Sequence, residues 1–587
     1  MSVCDNLLQA QAITSNSRLS DVHGAVCGKT IHIGFFFDGF ARHRENDLDD
    51  NKVSNIGRLF MAHTQADEDT ALDVYRRVYL SGLGADYDAS LGVQARGSAG
   101  RTRSEVQDIP SDVAGNQVIQ GVKDSLAGRS WWQRLQRDLG ELRNKPSKAL
   151  KVFKDTAINT AAESSAPVRD SRWSAHYLKT GVDTRLQGAL QELDAVITKE
   201  TGGSIPLITI KISVFGYDFG ATLARAFIHS IFESCQQQQG SYVYRQVRVE
   251  VVFAGLFDAV DRTSAELPPL EFFLPTTNVL SDGGLIHPET NAVLHLVAAH
   301  ERRFYRRARL LGDRRRNWRE ELMPGVSEDI GGGMASGEQK PSNELMLASL
   351  HRMYRAAVAA GAALPSLADL ERKDPETAEL FVFNDRSPSQ YSAQSLTIRY
   401  QRTVGRQPPS QDAFTLHMRY YIRWLANIWH AYKAELRNLG DQEDRLQERQ
   451  FANSSGISRL LGQSNETTHQ RQLRLDRTQI IKDRREALHA ELSWLEDVDA
   501  EARDMISRLR VYGSRAAGTP QQLQVWRALL SEWIEPSPLE PEIADLFAFF
   551  VHDQQVLSNR QRGMRWLSGE NFFAIRCFDR PSGRLAP

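Results

Sequence analysis

Hydrophobic and polar positions are arranged differently in successive parts of this 587-residue chain. The first part contains short, dense apolar runs: KTIHIGFFFDGF at 29–40, RRVYLSGLGAD at 76–86, IPLITIKISVFGYDFG at 205–220 and VRVEVVFAGLFDAVD at 247–261. Such runs predict buried parallel strands, and the amphipathic segments between them predict crossover helices. The alternation predicts a doubly wound α/β sheet, with ligand groups at the carboxyl ends of its strands.

This pattern is interrupted once and then gives way to a charged helical region. Residues 88–175 lose the strand–helix alternation, which predicts an insertion, and residues 336–545 have the spacing of long, highly charged helices. Such helices fit a lid, a surface for a membrane or a protein partner, or packing against the core. We expect an extension at 1–28, the core at 29–335, the helical region at 336–545, and a C-terminal segment at 546–587 whose run NFFAIRCFD rejoins the sheet.

Composition and charge exclude several classes of protein. Hydrophobic residues make up 41% and charged residues 25% of the chain, while 72 basic and 73 acidic residues leave no net field that attracts nucleic acid. The four cysteines are far apart in sequence, which argues against a zinc site or a disulfide framework and favours a reducing cytoplasm. The first residues lack the pattern of a secretory signal, and no apolar run approaches the ~20 residues that cross a bilayer.

The stretch VFGYDFGATLARAF at 214–227 has the form of a hydrolase nucleophile elbow. An elbow needs small residues two positions before and after the nucleophile, because the strand-to-helix turn brings neighbouring backbones close together. Gly216 and Gly220 meet this requirement, but Asp218 stands where a serine hydrolase has its serine. The stretch therefore predicts an α/β-hydrolase-like sheet with an altered nucleophile.

Eight short motifs in a fixed order carry a resemblance to one bacterial family. They are FFFDGF at 35–40, NIGRL at 55–59, VYLSGLG at 78–84, the elbow, GLFDAVD at 255–261, AAHERRFYRR at 298–307, PGVSEDIGGG at 324–333 and FVHDQ at 550–554. The chain resembles the family that contains the phospholipase effectors of type VI secretion systems. The resemblance covers residues 29–333 and the C-terminal end.

The resemblance implies an α/β-hydrolase whose serine, aspartate and histidine cleave the acyl esters of membrane phospholipids without a cofactor. It also implies delivery from the bacterial cytoplasm to the periplasm of a target cell. The implied partners are a membrane phospholipid or another lipid ester, a secretion-spike or carrier protein, and an immunity protein.

Carried over residue by residue, the resemblance changes two of the three triad positions. The family's serine falls on Asp218, its acid on Asp258, and the histidine of its PGVHxDVGGG pattern on Ser327. Removing a triad serine or histidine typically costs on the order of 10⁶ in kcat. The chain is therefore expected to be defective as a serine hydrolase.

The oxyanion region is changed as well. Asp38, Gly39 and Phe40 match the family's loop after the first strand, where Asp-Gly-Thr is usual. The backbone N–H of Phe219, next to the elbow position, is an expected oxyanion donor.

An aspartate at the elbow is a poor lipase nucleophile, because attack on an acyl ester gives a mixed anhydride. Haloalkane dehalogenases and epoxide hydrolases do use an elbow aspartate, and GYDFG resembles their GHDWG. Their chemistry needs a histidine that activates water, which Ser327 cannot do. His552 in FVHDQ is the best substitute, because its segment lies next to the presumed final strand.

Two other motifs carry weaker signals. Asp329 beside the glycine run at 331–333 offers one carboxylate without further oxygen ligands, so we expect no metal there. The run RRFYRRARLLGDRRRNWRE at 302–320 holds nine arginines, which we expect to form a solvated, partly salt-bridged face.

Three functions remain open from the sequence. The first is a hydrolase scaffold that has become a binding or delivery module without ester chemistry. The second is an active antibacterial phospholipase effector that uses substituted triad residues, and the third is an aspartate-nucleophile hydrolase of epoxides or halides.

Overall fold

The computed structural model describes residues 28–83, 85, 182–238, 240–260, 285–303, 306–312, 315–451, 456, 466–517, 519–553 and 572–579. They form a mixed α/β protein with a central mixed sheet, which does not close into a barrel within these residues. The described residues divide into two compact units, the first comprising those up to Ala413 with 548–553 and 576–579, and the second those at 414–547 and 572–575. The expected insertion at 88–175 lies outside the described residues, as does the expected extension except for Gly28.

The sheet belongs to the first unit. Its strands are β1 (Lys29–Phe37), β2 (Asp73–Leu80), β3 (Leu207–Tyr217), β4 (Gln236–Gln238), β5 (Ser241–Tyr244), β6 (Val247–Phe257), β7 (Val293–Ala298) and β9 (Trp318–Met323). Parallel pairing gives the order β2-β1-β3-β6-β7-β9, and the β4–β5 hairpin pairs antiparallel with the start of β6. The four strands predicted from apolar runs are present as β1, β2, β3 and β6.

Helices cover both faces of this sheet. One face packs on α3 (Val182–Thr201) and α4 (Phe219–Glu233), and the opposite face packs on α2 (Asn55–Ala62) and α6 (Leu345–Ala359). Strand β1 explains this arrangement, because Ile31, Ile33, Phe35 and Phe37 point to the first face while Phe36 points to the second. Side chains alternate between the faces of a strand, so a run that is apolar at every position must be buried on both sides.

Shorter helices complete the first unit around the sheet. They are α1 (Arg44–Asp49), α5 (Ser327–Gly331), α7 (Leu367–Lys373), α8 (Pro375–Glu379) and α9 (Ala393–Val404). Side-chain caps start several of them, as where the Ser366 hydroxyl accepts the N–H of Asp369 at 3.0 Å. Residues 336–413 belong to the same compact unit as the sheet.

The second unit is helical in its described part. Its helices are α10 (Gln411–Phe451), α11 (Thr468–Leu492), α12 (Trp494–Tyr512), α13 (Pro520–Ile534) and α14 (Pro541–Phe549). Trp429 stacks on Trp533 with ring centroids 6.2 Å apart, and the buried Glu532 carboxylate accepts hydrogen bonds from Arg419 and Arg423. No helix in the described part of the chain combines the length and the low polarity needed to cross a membrane.

The C-terminal strand does not join the central sheet, contrary to the sequence prediction. Strand β10 (Phe578–Asp579) pairs with β8 (Ala308–Arg309) in a separate two-stranded sheet. The run NFFAIRCFD resembles a core strand in composition, but only its last residues pair. Arg576, within the same run, reaches the carboxyl end of β6 instead.

Candidate functional site

The turn after β3 has the geometry that the elbow motif predicts. Asp218 has φ 56° and ψ −126°, a conformation that costs a non-glycine residue free energy, and α4 begins directly after it. A Cβ on Gly220 would lie 2.3 Å from the carbonyl oxygen of Asp38, and one on Gly216 would lie 2.5 Å from the Cα of Ala221. Both glycines are therefore required by close backbone approach, as the sequence indicated.

The Asp218 carboxylate is buried, with 1% of the residue exposed. Its Oδ2 accepts the backbone N–H of Phe40 at 3.3 Å, and its Oδ1 lies 3.6 Å from Nη1 of Arg306. The candidate oxyanion loop and the candidate nucleophile position are thus in contact. Burial favours a neutral guanidinium, but the carboxylates of Asp218 and Glu328 raise the pKa of Arg306 above its usual value and keep it charged.

Asp258 follows β6, the strand next to β3, and is fully buried with φ 48°. Its Oδ1 accepts the backbone N–H of Ala298 at 2.9 Å and a hydrogen bond from Nη1 of Arg576. The Arg576 guanidinium also donates to the carbonyl oxygens of Ala298 at 3.2 Å and Arg306 at 3.0 Å. Where a triad aspartate orients a histidine, this aspartate forms an ion pair with an arginine.

Ser327 is the first residue of α5, which follows β9, and it is fully buried. Its N–H donates to Glu301 at 3.3 Å, and its buried hydroxyl has no hydrogen-bond partner among the described residues. The next residue, Glu328, lies 3.5 Å from Nη2 of Arg306. One guanidinium therefore contacts both the elbow carboxylate and the residue that follows Ser327, so the first and third triad positions lie at the same edge of the sheet.

These contacts are part of a larger ion-pair cluster. Nη2 of Arg303 lies 2.5 Å from Glu301 and 2.6 Å from Glu328. Burial alone would raise the pKa of both glutamates, but Arg303 and Arg306 hold it well below the usual range. The cluster corrects the expectation of a solvated arginine face for the first part of the run, since Arg303 and Arg306 are largely buried, whereas Arg315, Arg316 and Arg319 are exposed.

The loop after β1 is held by Asp38. Its carboxylate accepts hydrogen bonds from the N–H of Gly39, the hydroxyl of Ser54 and the hydroxyl of Tyr79, each at 2.7 Å. Burial raises the pKa of Asp38, although these three donors oppose the shift. Asp38 thereby fixes the conformation that presents the Phe40 N–H to Asp218.

His552 is buried and paired with Asp329, a pair that sequence reasoning did not identify. Its Nδ1 lies 2.6 Å from Oδ1 of Asp329, and its backbone N–H donates to Oδ2 at 3.0 Å. Burial lowers the pKa of His552, but the carboxylate of Asp329 outweighs it, so the pKa lies above its ordinary value. Nε2 of His552 has no hydrogen-bond partner among the described residues.

No histidine in the described part of the chain hydrogen-bonds to Asp218 or Asp258. His295, on the strand β7 that pairs with β6, accepts the N–H of Ala259 through Nε2 and contacts Glu320 through Nδ1. Burial lowers the pKa of His295, which fits a neutral structural role. Nor do three or more acidic, histidine or cysteine side chains of these residues form a group that suits a metal ion.

The two arginines are the site residues that sequence reasoning missed. Arg306 belonged to a run whose charge suggested solvent exposure, and Arg576 lies 318 residues after its partner Asp258. The one available signal was indirect, since two carboxylates predicted at neighbouring strand ends require nearby cations when buried.

Comparisons with known proteins add a likeness of fold. No protein-family model matches this sequence, and no curated protein is significantly similar to it. An uncharacterized protein from Pseudomonas aeruginosa has a solved structure with a TM-score of 0.50 and 16% sequence identity, covering 94% of this chain and 80% of that chain. A structure of the Tle1 effector bound to the VgrG spike from the type 6 secretion system matches with a TM-score of 0.29 and 16% identity, covering 54% of this chain and 53% of that chain.

Proposed function

We propose that this chain is an α/β-hydrolase-like scaffold of the type VI phospholipase-effector kind that lacks serine-hydrolase chemistry. The observation that carries the proposal is the pairing of both candidate triad carboxylates with arginines. Asp218 lies against Arg306, and Asp258 is bound by Arg576, with no histidine of the described residues hydrogen-bonded to either. A triad transfers a proton from a hydroxyl to an imidazole. Asp218 lacks the hydroxyl at the first position, and Ser327 lacks the imidazole at the third.

The pairing also argues against an undetected ester mechanism at Asp218. A carboxylate that attacks an acyl carbon forms a mixed anhydride, which lies far uphill from a phospholipid ester. The guanidinium of Arg306 stabilises the carboxylate further and so lowers its nucleophilicity. Loss of both the serine and the histidine leaves at most the rate effect of binding.

The retained role is recognition. A silent scaffold still offers the surfaces through which the resembling family meets a lipid membrane, a secretion-spike or carrier protein, and an immunity protein. We propose that this chain keeps one or more of these contacts and is carried from the bacterial cytoplasm by a type VI system. Recovery of the chain in the secreted fraction only when that system is intact is the expected result.

The chemical part of the proposal is tested by rebuilding the triad. We expect the unaltered chain, Asp218→Ser and Ser327→His each to hydrolyse phospholipid vesicles no faster than the buffer. The double variant Asp218→Ser/Ser327→His is expected to exceed both single variants by at least roughly 10-fold, since triad members act as a unit. Activity in Ser327→His with Asp218 intact would show that the serine position has been assigned wrongly.

A second candidate function is favoured by the buried Asp329–His552 pair. A histidine oriented through Nδ1, whose Nε2 has no hydrogen-bond partner within the described part of the chain, has the arrangement of a general base that activates water. In that mechanism, Asp218 attacks a saturated carbon, displaces halide or opens an epoxide, and forms an ester that the activated water cleaves. Incubation of His552→Gln with alkyl halides and epoxides, followed by intact-mass measurement, separates the two, because only this second function yields an ester on Asp218.

A further inference from the structure

We infer that Arg306 and the backbone N–H of Phe40 form a carboxylate-binding site, which Asp218 itself fills in this chain. The two donors lie near different oxygens of the Asp218 carboxylate: the N–H of Phe40 at 3.3 Å from Oδ2, and Nη1 of Arg306 at 3.6 Å from Oδ1. The carboxylate is 1% exposed, so its contacts are made away from water. The ligand class is a small carboxylate, and in the native chain the ligand is supplied by the elbow residue.

The side chain of Asp218 satisfies this site incompletely. Oδ1 of Asp218 and Nη1 of Arg306 are both buried, and neither has a hydrogen-bond partner among the described residues, because the 3.6 Å between them is too long for a hydrogen bond. The backbone of Asp218 is itself held in place, since its N–H is bound to Phe257 O at 3.0 Å and its φ is 56°. A carboxylate free of the chain can approach a guanidinium to about 2.8 Å with two parallel hydrogen bonds.

The surrounding charges limit how tightly a free carboxylate is held. Glu301, Glu328 and Asp218 face Arg303 and Arg306, so the cluster carries one more anion than cation while Asp218 is present. Without the Asp218 side chain the cluster is balanced, and the added ligand restores the original charge. Binding then depends on the local donors, and for a three-atom ligand a dissociation constant of about 1 mM or weaker is expected.

The inference rests on the proposed function, because the site is the position of the elbow side chain, where an active serine hydrolase has its nucleophile. It adds that an internal carboxylate occupies this position and is held there by its own donors. Anion binding is measured without any ester, so failure of this inference and failure of the proposed function are distinguishable.

The test uses the full chain and formate as the probe. Asp218→Gly removes the carboxylate, and glycine suits the φ of 56° at this position. Asp218→Asn is the matched control, because its amide still occupies the carboxylate position. Asp218→Gly/Arg306→Gln also removes the guanidinium. Each protein is titrated with sodium formate, against sodium chloride at equal ionic strength, by formate ¹³C line broadening and by thermal unfolding.

Saturable formate binding and a rise in Tm of about 2 °C or more at 100 mM are expected for Asp218→Gly alone. The unaltered chain, Asp218→Asn and the double variant are expected to respond equally to formate and chloride. Equal responses for Asp218→Gly, or a response that survives Arg306→Gln, would overturn the inference. If Asp218→Gly does not fold, Asp218→Ser is tested in the same way, because its shorter side chain also vacates the carboxylate position and the same outcomes decide.

Discussion

Replacing Arg576 with methionine gives a direct measure of how the Asp258 position is held. Methionine keeps much of the volume and apolar contact of arginine but removes the guanidinium. The Asp258 carboxylate is then left with one hydrogen bond, from the N–H of Ala298. Both members of the pair are almost completely buried, with side-chain exposures of 1% for Arg576 and 0% for Asp258.

The magnitude follows from this burial. Breaking a buried ion pair by removing one partner typically costs about 3–5 kcal/mol, because the remaining charge stays buried without compensation. The carbonyl oxygens of Ala298 and Arg306 also lose their bonds to the guanidinium, at about 1 kcal/mol each. We therefore expect Arg576→Met to reduce the free energy of unfolding by at least about 4 kcal/mol.

The assay is urea denaturation followed by circular dichroism and tryptophan fluorescence, with Asp258→Asn and the double variant measured in parallel. Asparagine keeps an acceptor for the Ala298 N–H without a charge, so Asp258→Asn/Arg576→Met is expected to recover about 2 kcal/mol relative to Arg576→Met. A loss below about 1 kcal/mol for Arg576→Met, or no recovery in the double variant, would refute the assignment of this ion pair.

Three further results are expected from other parts of the fold. Gly220→Ala should prevent stable folding or lower Tm by many degrees, because the new Cβ would lie 2.3 Å from the carbonyl oxygen of Asp38, as a thermal melt will show. The pair of His552 with Asp329 should stabilise the fold below the histidine's ordinary pKa and lose this effect as pH rises through the raised folded pKa, so the Tm difference from His552→Gln should shrink as pH rises above about 6.5. Glu532→Gln should cost about 1–3 kcal/mol in urea denaturation, because two arginines lose their shared carboxylate.

Each of these expectations has a clear contrary result and a control. Gly202→Ala is the control for Gly220→Ala, because its Cβ would meet only one atom, at 3.9 Å, and equal Tm values for the two would contradict the close approach. A Tm difference between the unaltered chain and His552→Gln that grows with pH would contradict the expected loss of stabilisation by the His552–Asp329 pair. Unchanged stability in Glu532→Gln would contradict a stabilising role of the Glu532 carboxylate in the second unit.

Local patterns predicted the elements that contain the site. The run IGFFF around Phe36 has no polar side chain, which predicts a strand buried on both faces, and the spacing of Gly216 and Gly220 predicts a tight turn between β3 and α4. These features depend on a few neighbouring residues. Local sequence is therefore enough to predict the elbow turn and the strand ends.

The partners across the site were not predictable in the same way. Arg306 and Arg576 reach their carboxylates from segments 88 and 318 residues away, and no local pattern records such a pairing. Strand β9 escaped prediction for a related reason, since half of WREELM is polar and only its last two residues are buried. Charge pairing inside a fold looks, in sequence, the same as charge exposed to solvent.

We propose that the Asp218 carboxylate occupies the elbow of a hydrolase-like scaffold without catalysing ester hydrolysis. The most direct measurement compares the unaltered chain with Asp218→Asn in one assay of fatty-acid release from phospholipid vesicles. We expect fatty acid to appear with either protein no faster than from vesicles in buffer alone. Release by the unaltered chain that disappears in Asp218→Asn would contradict it.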